Sequence, residues 1–177
     1  MQKGECCMVN EKIASMLNEQ IAKEFYSAYL YLAIANYYED QDLDGFANWF
    51  SIQAQEERDH AMMIRSYLIE DGTRVRLDAI AAPTEAFEDV KAPLLAALEH
   101  ERFITASIND IYAAAMAEHD YKTLQFLDWF IKEQGEEEKN ASDLCKKYEL
   151  FGHDAKGLYL LNAEYATRTY TAPAADA

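Results

Sequence analysis

Six glycines and three prolines in 177 residues leave little to interrupt a helix. Those two residues punctuate most turns, so their scarcity argues against an all-β sandwich or barrel, which needs a turn every roughly 8–12 residues. Cysteine is equally sparse: Cys6 and Cys7 are adjacent and Cys145 stands alone. Three such cysteines build neither a disulfide framework nor a Cys-x-x-Cys zinc or redox motif, and free thiols suit a reducing cytoplasm. Positive charge is short as well, with 16 Lys and Arg against 32 Asp and Glu and a net charge of −16. That balance argues against nucleic acid or an anionic membrane as a partner. No apolar run approaches the roughly 20 residues of a membrane span. Residues 1–10 also lack the apolar stretch of a signal peptide. The expectation is a soluble, cytoplasmic protein with no membrane and no nucleic-acid partner.

Half of the residues are apolar, and most recur at helical spacing. Asn10 is a good N-cap for a first helix reaching about Tyr38, with an inward stripe of Ile13, Leu17, Gln20, Glu24, Ala28, Tyr31 and Ala35. A second helix runs from about Asp44 to Asp71, stopped by Gly72. Its stripe includes Phe46, Phe50, Gln53, Glu57, His60 and Ile64. Residues 73–87 lose the helical period and contain Pro83, which predicts a connection running the length of a bundle. A third helix is expected from about Glu88 to Glu118 and a fourth from about Tyr121 to Leu150, ended by Gly152. A short fifth covers about Ala155 to Arg168. The chain therefore reads as one all-α domain, residues 10–168, between a flexible N-terminal arm (1–9) and a flexible C-terminal tail (169–177).

Each long helix carries one glutamate on its apolar stripe near mid-length: Glu24, Glu57, Glu101 and Glu137. Mid-helix residues arrive at the same height whichever way a helix runs. One such glutamate would ordinarily send its head to solvent. Four buried at one level are prohibitive unless they are protonated or bind cations. Glu57-Arg58-Asp59-His60 adds an imidazole one turn from a carboxylate, on the same face. Four carboxylates and a histidine inside a helical bundle describe a carboxylate-bridged di-metal centre. Its oxygen-rich donors favour iron or manganese over a closed structural zinc. Glu57 is the natural bridge. Glu24, Glu57 and His60 would hold one ion, and Glu57 and Glu101 the other, completed by Glu137 or Gln134. Having no histidine, the second set is expected to bind more weakly. His100, His119 and His153 fit no ligand spacing.

At these residues the chain resembles a ferritin of the haem-free bacterial type, over about residues 10–165. The resemblance rests on Glu24-Phe25-Tyr26-Ser27, on Ala54-Gln55-Glu56-Glu57-Arg58-Asp59-His60, on His100-Glu101, on the run from Trp129 to Lys139, and on Gly157-Leu158-Tyr159. It implies a ferritin-like four-helix bundle with a long crossover between helices two and three and a short fifth C-terminal helix. It also implies a ferroxidase centre of two iron ions per chain on Glu24, Glu57, His60, Glu101 and Glu137, with Gln134 beside them. Glu56, Glu133 and Glu136, with Glu137, match a third, outlying iron position. Tyr31 matches a tyrosine that can supply an electron. Family members form hollow shells of 24 copies around ferric mineral.

Bacterioferritins have two Glu-x-x-His motifs and a haem-ligating Met after the bridging Glu. This chain has one motif and Arg58 there, so no haem is expected. Nothing here could build the four-cysteine iron site of a rubrerythrin. Leu124 and Leu127 stand where animal ferritins line their three-fold pores with carboxylates. The expected function is iron storage with oxidation of Fe(II) by O₂ or hydrogen peroxide. The alternative is a free-standing di-iron oxidoreductase that stores nothing.

Overall fold

A computed structural model describes residues 8–173. Cys6 and Cys7, most of the expected N-terminal arm and the last four residues of the tail lie outside the described residues. The described residues form five helices: α1 (Glu11–Glu39), α2 (Asp44–Glu70), α3 (Ala92–Ala117), α4 (Tyr121–Phe151) and α5 (Ala155–Tyr165). No strand occurs among the described residues.

Their ends follow from local chemistry. The side chains of Asn10, Asp120 and Asp154 accept backbone N–H bonds in the first turns of α1, α4 and α5, relieving donors that have no partner within the helix. Gly72 follows α2 at φ 80°, the left-handed conformation that glycine adopts at no steric cost. The third helix starts later than its periodicity predicts, at Ala92. Pro93 is tolerated only in a first turn, and Asp89 takes the N–H groups of Lys91 and Ala92 at 2.9 Å just before it. The fifth helix is also shorter than expected, so Arg168 lies beyond its end.

Two apolar clusters fill the two ends of the bundle. One joins Ile34, Tyr38, Phe46, Phe50, Leu94 and Leu144. The other joins Ile13, Leu17, Ile21, Ile64, Leu68, Ile104, Ile108, Leu127 and Phe130. Along the chain, α1 and α4 pass from the second cluster to the first, whereas α2 and α3 both pass from the first to the second. Helices α2 and α3 are therefore parallel, as the long crossover predicts. Asn18 of α1 pins that crossover by accepting the Arg76 N–H at 2.5 Å. Leu127 is fully buried in the second cluster, and Leu124 packs half-buried against it. Cys145 is buried, with its Sγ 3.4 Å from the Leu94 carbonyl.

Helix α2 has no side-chain cap of its own at Leu43. Asn162 of α5 supplies one, its Oδ1 accepting from Gly45 N at 2.8 Å and Phe46 N at 3.2 Å. This approach requires glycine: a Cβ at residue 45 would lie 1.8 Å from the Asn162 carbonyl oxygen. Phe46 and Tyr165 meet edge to face at 4.8 Å, so α5 is locked to the start of α2. No described helix is long and apolar enough to cross a membrane.

Candidate metal centre

Between the two apolar clusters lies a belt of buried polar side chains: Gln20, Glu24, Gln53, Glu57, His60, Glu101, Gln134 and Glu137. All four glutamates and His60 are at most 4% exposed, so none keeps a hydration shell. Isolated carboxylates in such a place take protons rather than remain charged. Burial, followed by the neighbouring Glu57, pushes Glu24 and Glu101 up to about 8. Burial and then Glu101 do the same to Glu137. Glu57 is raised well above the ordinary carboxyl range by burial and then by Glu137.

Ligand atoms of Glu24, Glu57 and His60 lie within 4.8 Å of one another, and so do those of His60, Glu133 and Glu137. The first group is the one that the sequence pattern assigns to a first ion. The second brings in Glu133, half-buried on α4, alongside Glu137. Glu101 stands outside both groups; one of its oxygens accepts the Tyr31 hydroxyl and the other accepts Gln134 Nε2 at 3.1 Å. Gln134 also reaches Thr105 Oγ1 at 3.3 Å. Tyr31 is buried beside Phe50 and His100. Of the residues read as an outlying position, Glu133 faces His60 and Glu137, whereas Glu56 is paired with Arg168 and the exposed Glu136 lies 3.6 Å from Lys132.

His60 is oriented by packing. Its ring lies edge-on to Trp129 and Phe130 at 5.3 and 6.1 Å, with Nδ1 3.6 Å from a Glu57 oxygen. His100, in contrast, is a structural residue. Its Nε2 lies 2.8 Å from Ser27 Oγ, and burial lowers its pKa to about 4, which keeps it neutral.

Sequence reasoning placed Gln20 and Gln53 on the inward stripes without giving them a role. Each sits four residues before a glutamate and donates to it: Gln20 Nε2 to Glu24 at 2.9 Å, Gln53 Nε2 to Glu57 at 3.2 Å. Gln53 Nε2 also donates to Glu137 at 2.7 Å. Their acceptor ends are held in turn. Ser107 donates to Gln20 Oε1 at 2.6 Å and itself accepts from Lys23 at 2.6 Å, while Arg168 donates to Gln53 Oε1 at 3.0 Å. The repeated Gln-x-x-x-Glu spacing was the legible signal. Arg168 had none, being 115 residues from Gln53.

The donor set accommodates divalent iron. Glu24 Oε2 is buried without a hydrogen-bond partner, a position that native proteins seldom leave unfilled. Two divalent cations would match the charge of four ionised carboxyls, and oxygen donors with one imidazole suit Fe(II). A bundle with such a polar belt across its middle falls in the class of helical-bundle carboxylate proteins.

Comparison with known proteins narrows that class. Residues 14–151 match the family model described as a ferritin-like domain. A probable bacterial non-heme ferritin-like protein of Haemophilus influenzae is 36% identical over 157 residues, covering 89% of this chain and 95% of that protein. The bacterial non-heme ferritin of Campylobacter jejuni is 37% identical over 153 residues, covering 86% and 92%. Among solved structures, an engineered closed form of the Archaeoglobus fulgidus ferritin superposes with a TM-score of 0.90 at 40% identity, covering 92% of this chain and 99% of that one. An open-pore ferritin from the same archaeon gives 0.89 at 40% identity, covering 91% and 98%. The chain belongs to the ferritin family, with relatives of the haem-free bacterial type.

Proposed function

We propose that this protein is an iron-storage ferritin whose mid-bundle belt oxidises Fe(II). The observation that carries the reading is the burial of four carboxyls and His60 at one level, with Glu24 Oε2 left without a partner. Fe(II) is the substrate, and the belt becomes favourable when cations replace its protons. Glu24, Glu57 and His60 take one Fe(II). Glu57, Glu101 and Glu137 take the other, with Gln134 alongside; Glu101 must then turn from Gln134 and Tyr31 toward the ion. Two adjacent Fe(II) ions each give up one electron, which reduces O₂ to the peroxide level or hydrogen peroxide to water. Close placement of the pair avoids release of superoxide from a single iron. Tyr31, hydrogen-bonded to Glu101, stands where it can donate a further electron. Glu133, Glu136 and Glu56, with Glu137, form the outlying third position, and Glu56 must leave Arg168 to join it. Water oxygens on Fe(III) release protons as the product moves to a mineral inside a homo-oligomeric shell of 24 copies. No haem takes part in this scheme, and the compartment is the cytoplasm.

The test is to add excess Fe(II) in air to the apo-protein and measure the iron that co-elutes with it in size exclusion. Iron far above two ions per chain, on a large assembly, is the expected result. About two per chain on a small oligomer would instead mean a free-standing di-iron oxidoreductase. In parallel, Glu57→Ala should fold and assemble but lose rapid oxidation; fast oxidation by that variant would refute the site assignment.

A further inference from the structure

Gln53 is 1% exposed, so both ends of its amide must find partners inside the protein. Its Nε2 faces carboxylate oxygens of Glu137 at 2.7 Å and Glu57 at 3.2 Å. Its Oε1 faces Arg168 Nη1 at 3.0 Å. Turned over, the amide would set its NH₂ against a guanidinium, two groups that only donate, and neither would find an acceptor there. Arg168 therefore decides which end of the amide the two glutamates meet.

The guanidinium is itself firmly held. It lies over the Trp49 ring, 4.2 Å from its centroid. Nη1 donates to the Trp49 carbonyl at 3.0 Å, and Nη2 pairs with Glu56. These contacts use the fixed fork of an arginine, which binds several acceptors at once where a lysine offers a point charge. The segment that carries it is tied at both sides. Asn48 Nδ2 donates to the Tyr165 and Arg168 carbonyls at 3.2 and 3.1 Å, and the Tyr170 hydroxyl donates to Asp59. The chain beyond α5 thus lies along α2, beside the metal-facing stretch Gln53–His60.

We propose that Arg168 is a positioning residue of the metal centre, acting through Gln53 to fix the orientation of Glu57 and Glu137. This inference rests on the reading of the belt as a metal centre. Partners that orient metal ligands are typically worth about 10- to 100-fold in metal affinity. The C-terminal segment is accordingly part of the centre, although it supplies no ligand.

Co(II) titration of the full-length apo-protein without oxygen tests this, with the d–d absorption reporting ligand geometry. Four proteins are compared with the parent: Arg168→Met, Arg168→Lys, Gln53→Met and the double variant Arg168→Met/Gln53→Met. Arg168→Met should weaken Co(II) binding about tenfold and change the d–d bands, with partial recovery in Arg168→Lys. Gln53→Met should show a similar loss, and the double variant should be no worse than Gln53→Met alone, because the arginine acts through the amide. Arg168→Met titrating like the parent would overturn the proposal, as would losses that add independently in the double variant. Should Arg168→Met fail to fold, the same cycle run with Arg168→Lys gives the answer. A parent that binds no Co(II) would remove the metal centre and this inference with it. A parent that binds Co(II), with variants indifferent to residue 168, removes the inference alone.

Discussion

Removing metal should make this protein's stability fall as pH rises across the neutral range. Folded, Glu24, Glu101 and Glu137 keep their protons up to about 8, against 4.5 for an ordinary carboxyl, because burial and neighbouring carboxyls disfavour the charged form. The folded chain therefore holds protons that the unfolded chain releases above about pH 4.5. Under linkage, the stability associated with those groups is fully present below that point and is lost progressively as pH climbs toward 8. At about 1.4 kcal/mol per pH unit, a single carboxyl raised this far is linked to roughly 4–5 kcal/mol. The groups interact with one another, so the three do not add, and the expectation is kept at the scale of one. For a chain of this size that scale corresponds to a melting temperature lower by about 8–20 °C at pH 8 than at pH 5. The assay is scanning calorimetry of the apo-protein with a chelator at pH 5, 6, 7 and 8, repeated with excess Co(II). Added metal should flatten the profile, since cations replace the protons. Glu24→Gln, which removes one titrating group, should reduce the slope without metal. A metal-free melting temperature that stays level or rises with pH would refute the reasoning, as would an unchanged slope in Glu24→Gln.

Tyr31→Phe removes the hydroxyl that donates to Glu101 while keeping the ring between Phe50 and His100. It should cost about 1–3 kcal/mol or less in urea unfolding, slow Fe(II) oxidation measured by stopped flow, and abolish any tyrosyl radical trapped by freeze-quench. Gly45→Ala drives a Cβ against the Asn162 carbonyl and breaks both bonds that cap α2. Unfolding by urea should show a loss of about 2–4 kcal/mol, with α5 amides exchanging hydrogen faster than those of α1 or α4.

Much of the bundle was legible because helical periodicity is local. The stripe from Ile13 to Ala35 and the cap at Asn10 depend only on neighbours a turn away. The start of α3 was misjudged because Asp89 and Pro93 end the preceding turn by a specific capping arrangement, which a hydrophobic pattern does not register. The glutamates of the belt were legible for the opposite reason: each violates its own stripe, and a carboxylate in a leucine position has to be explained. Periodicity could say that Gln20 and Gln53 point inward, but it could not say what their amides do.

Local spacing along the chain suffices for most of the helices, their inward faces and the height at which Glu24, Glu57, Glu101 and Glu137 meet, because a helix converts residue spacing directly into position. Packing between separate helices, by contrast, orients the amides of that belt. It brings Ser107 and Lys23 to Gln20, and Arg168 to Gln53 from 115 residues away. It likewise assigned Glu101 to Tyr31 and Gln134, Glu56 to Arg168, and Asn162 to the start of α2. Those choices depend on which donor arrives beside which acceptor when separate helices pack, and a sequence spacing within one helix carries no information about that.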